Sequence, residues 1–168
     1  MFVAAVAAIA LLVSAGAASG EGNRVVASAG GDWSMSGQAA GSTFEIGPFT
    51  FDVRVYADGS AAGHFDYTQV RDGGEPLVVR GTLDCATISG NQAWVGGVIE
   101  ESSRASLVGL DMWFQVQDNG EGAGAPPDMS STIGAGGPGT GEQYCADAPV
   151  VLFPFFLEAG NLQVRPAS

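Results

Sequence analysis

His64 is the single histidine of the chain, and Asp66 follows it by two positions. The hairpin register that keeps apolar residues on one face also sets Asp52 across from it, so an imidazole lies among carboxylates, the grouping that general acid-base chemistry uses. A polar pair facing across a solvated sheet produces the same residues, and nothing completes a catalytic set. No serine occupies a Gly-x-Ser-x-Gly elbow. Cys85 and Cys145 lack both a Cys-x-x-Cys spacing and the companion ligands of a zinc site, so an even pair in an exported chain reads as a disulfide. The bridge closes about 60 residues, worth roughly 4 kcal/mol in the chain-entropy model, and a bridged cysteine is not a nucleophile.

Asp118, Asn119, Glu121 and Asp128 cluster in a Gly-rich loop, and oxygen donors on such a loop are what calcium takes. Asp118-Asn119-Gly120 is equally what a tight turn takes, and the spacing fits neither an EF-hand nor a nonapeptide repeat. No cofactor is expected, with calcium at this loop as the alternative. The glycines from 134 to 141 have the look of a phosphate cradle but lack the lysine and the following helix that a P-loop needs. Residues 150–157 form an apolar run broken by Pro154. Its rings, Phe153, Phe155 and Phe156, are expected in the core or as a plug at one end. The alternative is that, with Trp113, they form an exposed lip for an apolar ligand or surface.

The elements that position these groups read as strands. Phe49, Phe51, Val53 and Val55 alternate with Thr50, Asp52 and Arg54, the period of a half-buried strand, and Asp58-Gly59 reverses the chain. A two-residue loop would mix core and solvent on one face. A three-residue loop with Gly59 left-handed in a G1 bulge sets Phe51 opposite Phe65, Phe49 opposite Tyr67 and Asp52 opposite His64. In the next strand Leu77, Val79, Gly81, Leu83 and Cys85 share a side, so Cys85 is expected to point inward. A three-residue loop, Ser89-Gly90-Asn91 with Asn91 left-handed, is expected to set Cys85 opposite Val95 and Gly81 opposite Ile99. Residues 107–117 read as a long two-sided strand, residues 135–143 as irregular and residues 161–164 as a closing strand.

The first 20 residues carry no charged side chain and hold an apolar run of about a dozen, the size of a signal-peptide core and too short to span a bilayer. Residues 1–19 are therefore expected to be a helical signal peptide, residues 20–31 a flexible lead-in and residues 32–168 one domain. With 18 acidic residues against 6 basic ones, all arginine, the net charge of -12 disfavours nucleic acid. A secreted monomer without a transmembrane anchor is expected, its partner left open. The architecture expected is all-β, an antiparallel meander of about eight strands closed into a barrel, with a two-sheet sandwich as the alternative and no helix after the leader.

Phe49-Thr50-Phe51-Asp52-Val53, Gly63-His64-Phe65-Asp66-Tyr67, Val79-Arg80-Gly81-Thr82-Leu83-Asp84-Cys85, Val116-Gln117-Asp118-Asn119-Gly120-Glu121 and Asn161-Leu162-Gln163-Val164 together resemble the post-COAP-like β domains, small secreted bacterial proteins of unknown function. The resemblance covers residues 47–164 and implies the fold and export, with no activity to carry over. The expected function is a secreted, non-catalytic structural or binding module. The rivals are a barrel holding a small apolar ligand and a barrel enzyme of isomerase or cyclase type, which would need convergent polar groups inside.

Overall fold

The computed structural model describes residues 22–39, 41–151 and 155–167; residues 1–19, expected to be a signal peptide, and Phe153 lie outside the described residues. The chain runs β1 (Val25–Ala39), β2 (Ser42–Tyr56), β3 (Ala61–Arg71), β4 (Leu77–Ser89), β5 (Gln92–Ser102), a 3-10 turn (Ala105–Leu107) and β6 (Asp111–Gln117). It continues through β7 (Met129–Ser130), β8 (Gly134–Gly136), α1 (Thr140–Asp147), β9 (Phe155–Phe156) and β10 (Ala159–Arg165). All strands join one antiparallel sheet in the order β10-β1-β2-β3-β4-β5-β6-β7-β9, with β8 on β6, and the sheet curls into half a barrel. Among the described residues no helix is long and apolar enough to cross a membrane.

The β2–β3 hairpin has the register its face pattern demands: Phe49 opposite Tyr67, Phe51 opposite Phe65 and Asp52 opposite His64. Gly59 sits at φ 86°, its N–H donates to the Tyr56 carbonyl, and Tyr56 N–H reaches the Ser60 carbonyl at 2.8 Å, the bonding of a three-residue loop with a G1 bulge. Curl follows from close strand approach at the sheet centre. A Cβ on Gly97 would stand 2.0 Å from the Thr82 carbonyl oxygen and 2.7 Å from the Leu83 Cα, so only glycine lets β4 and β5 come so near.

The concave face is filled by aromatic rings. Trp33 stacks on Phe49 at 4.4 Å and Phe49 on Tyr67 at 5.3 Å, while Phe114 meets Phe49 and Phe51 edge-on at 5.1 and 5.2 Å. Leu83, Val95, Ile99, Met112, Val116 and Leu162 close the rest of this core.

Five expectations are corrected. Residues 25–31, expected to be flexible, form the first half of β1 and pair with both β2 and β10. The β4–β5 loop has two residues, with Ser89 opposite Gln92 and Gly90 rather than Asn91 left-handed at φ 57°. A bulge at Asp84 then absorbs one residue, because Leu83 pairs with Gly97 and Cys85 with Gly96; Gly81 still meets Ile99, yet Cys85 is turned to the outer face. The expected strand over residues 107–117 begins only at Asp111, after the 3-10 turn. Finally, residues 135–143, expected to be irregular, hold the end of β8 and the first turn of α1, a helix that lies across the outer face of β4, β5 and β6.

Candidate functional site

The acidic loop is a staple for a sheet edge. Asp118 accepts the Gly120 N–H at 2.8 Å with one carboxylate oxygen and the Val164 N–H at 2.9 Å with the other. Asp128 accepts the Asn119 N–H at 2.8 Å and is also bonded by the backbone of Leu162. Leu162 and Val164 are two apart on β10, so their N–H groups point to the same open edge. Two carboxylates thus stand in for the missing neighbour strand and satisfy donors that would otherwise template further pairing. Burial pushes the Asp128 carboxyl above its usual range, and the nearby Asp118 charge adds to this. Asn119 donates to the Pro127 carbonyl, and Glu121 stands on the solvent side. Asp118 and Asp128 both accept backbone N–H donors. Among the described residues no group of three or more His, Cys, Asp or Glu is arranged to hold a metal ion.

The disulfide joins Cys85 to Cys145 and pins α1 to the outer face. Gly96 lies beneath it, where a Cβ would meet the Cys85 Sγ and the Gly141 carbonyl at 2.8 Å each. Thr87 Oγ1 donates to the Cys145 carbonyl at 2.7 Å, and Trp94 Nε1 to the Pro149 carbonyl at 2.8 Å. The helix has no side-chain cap of its own. Instead the buried Asp111 carboxylate takes the Gly141 N–H at 3.0 Å, a first-turn donor satisfied from a strand. Trp113 also belongs to this face, packed near Tyr144 and over Gly134.

His64 is exposed on the outer face, with Asp52 and Thr82 as ladder neighbours. Asp66 pairs with Arg80, which also reaches Glu101 at 3.9 Å, and Thr82 Oγ1 donates to Glu100 at 3.3 Å. A broad, open groove of about 460 Å³ runs over this rung. Its polar groups are solvated and hold one another across strands, which is what an outward sheet face does.

Phe155, Phe156 and Trp113 are not brought together. Phe155 is 7% exposed and meets Phe44 edge-on at 4.9 Å, with Gly37 against its ring, so it belongs to the core at one mouth of the half-barrel. Phe156 points away and is 58% exposed, and Trp113 lies on the opposite face of the sheet. Alternation along a short strand allows only one of two successive rings inside.

One site escaped the sequence. Beside Phe155 the mouth holds a cavity of about 130 Å³ lined by Met35, Phe44, Ile46, Tyr67, Gln69 and Arg71, with Thr132 and Ile133 closing it. The usable signal was the inward phase of β3, which changes from Phe65 and Tyr67 to Gln69 and Arg71 toward the strand end. Burial pushes the Tyr67 phenol up to about 12, against the opposing pull of the Arg71 and Arg104 charges. At neutral pH the phenol therefore remains a hydrogen-bond donor.

Together these features define an all-β domain with a filled centre, a disulfide-pinned outer helix and one small polar-rimmed mouth. Comparison with family models, curated proteins and solved structures finds no match for the chain.

Proposed function

We propose that the chain is an exported, non-catalytic β module with a structural or binding role, akin to the post-COAP-like domains it resembles, and that the segment carrying β9 and β10 closes its curled sheet into a barrel. Closure is supported by that segment's bonds to both sheet ends: Leu157 N–H donates to the Asp128 carbonyl and Glu158 N–H to the Ser34 carbonyl, each at 2.9 Å. Export is supported by the disulfide, which persists in oxidising compartments. The observation that carries the reading is the aromatic stack of Trp33, Phe49, Tyr67 and Phe114, which fills the concave face where a barrel enzyme or lipid carrier keeps its cavity.

Two measurements test it. Residues 1–31 fused to a reporter that folds only after export should yield active, processed reporter, and thiol titration of the unfolded exported chain should find no free cysteine. Mass spectrometry of material co-purifying with the full chain should return a protein or surface polymer as partner. A retained leader with two reactive thiols would refute export, and a long-chain lipid recovered at one per chain would refute the filled-core reading.

A further inference from the structure

We infer that the mouth beside Phe155 is a binding site for a small monocarboxylate whose apolar body is about the size of a benzene ring, held by Arg71 at the rim. The inference goes beyond the module reading, which stands without it. Size comes first. A cavity of about 130 Å³ is far below the several hundred Å³ that drug-sized ligands occupy. It is close to the ~150 Å³ apolar cavity that takes up benzene. Its deep wall is apolar, formed by Met35, Phe44, Ile46 and Phe155, so it favours a hydrocarbon body over water.

Charge decides the rest. The chain carries a net charge of -12 and only six arginines, yet Arg71 lines this mouth. Arg104 follows Ser102, which pairs with Val79, itself the ladder partner of Tyr67, so a second guanidinium stands within electrostatic range of the same phenol. Among the described residues neither arginine forms a salt bridge. Asp72, next to Arg71, feels its charge, but its Oδ1 accepts from the Thr43 N–H and Oγ1 at 2.9 and 3.0 Å. In a strongly acidic protein, a guanidinium at the lip of an apolar cavity with a neutral phenol and the Gln69 amide beside it is complementary to one carboxylate.

The test uses the full chain and three probes: benzoate, benzyl alcohol with the same ring and no charge, and acetate with the charge and no ring. Calorimetry should give benzoate roughly tenfold tighter binding than either control, since a charge-assisted hydrogen bond and ring burial each contribute on that scale. Methyl resonances of Met35, Ile46 and Ile133 should move with benzoate. Arg71→Gln, at an exposed position, should keep its melting temperature and lose roughly tenfold in benzoate affinity while binding of benzyl alcohol is unchanged. Arg104→Gln should cause a smaller loss in the same direction. Equal affinity for benzoate and benzyl alcohol, shifts confined to other faces, or an Arg71→Gln variant that binds benzoate as before would each overturn the inference.

Discussion

Replacing Asp118 by alanine asks whether its carboxylate serves the sheet or a cation. The structure gives the side chain two backbone donors, the Gly120 N–H in its own turn and the Val164 N–H on the open edge of β10. A net hydrogen bond is worth about 1 kcal/mol, and one to a charged acceptor about 1.5 to 3 kcal/mol. The turn bond is exposed and belongs at the low end; the Val164 bond is partly buried, and its loss leaves a donor without its partner. The expected cost is about 2 to 3 kcal/mol. With a urea slope of ~2 kcal/mol/M for a domain of this size, the unfolding midpoint should fall by roughly 1 to 1.5 M. Asp118→Asn should fall between wild type and alanine, because an amide retains one acceptor oxygen. Each curve is measured by tryptophan fluorescence in calcium chloride and again in EDTA. The staple predicts the same midpoint in both. A wild-type midpoint that drops on chelation, with Asp118→Ala insensitive to calcium, would refute the staple in favour of the metal reading; an alanine variant as stable as wild type would refute the energetic argument.

Phe155→Ala should cost about 3 kcal/mol or more, while Phe156→Ala, at a 58% exposed position, should change the melting temperature little; equal losses would place both rings on the same side. Gly59→Val should lower stability by about 1 to 2 kcal/mol through its φ of 86°, more than Asp58→Ala, which removes only the exposed bonds from the Ser60 N–H and Oγ; matching urea midpoints would contradict the G1 bulge. Absorbance titration should show one tyrosine ionising near pH 12 that Tyr67→Phe removes. Because the folded pKa is raised, this group's contribution is fully present below pH ~10 and lost between there and pH ~12, by roughly 2 to 3 kcal/mol, so wild type should lose more stability than Tyr67→Phe across that window.

The β2–β3 hairpin was legible residue by residue because two local signals agree there. A two-residue apolar period and an Asp-Gly reversal leave a single register that keeps Phe49, Phe51, Phe65 and Tyr67 on one face. The same reasoning failed at β4–β5. The face pattern of Leu77, Val79, Gly81, Leu83 and Cys85 is unbroken in sequence, but the bulge at Asp84 turns the strand over in its middle. Nothing local marks that bulge. It brings Cys85 to the outer face, where Cys145 can reach it, so both the two-residue turn and the bulge answer to a bridge 60 residues away in sequence.

The sequence by itself determined the class of fold and the pairing of the two cysteines, since both follow from periodicity and arithmetic. Tertiary structure alone decided the rest. The α1 helix has a left-handed Gly139 in place of a side-chain cap, and draws its support from Asp111, the Gly96 surface and the disulfide. The loop of Asp118 and Asp128 carries the right residues for a cation, and their use was set by which backbone edge came to lie beside them. Phe155 and Phe156 are chemically identical neighbours, separated only by the pleat of β9. The mouth cavity is assembled from β1, β2, β3, β9 and residues 132–133, whose side chains meet only because the sheet curls. Local pattern fixes which face a side chain takes along its own strand; what stands opposite that face depends on chain closure over long sequence distances.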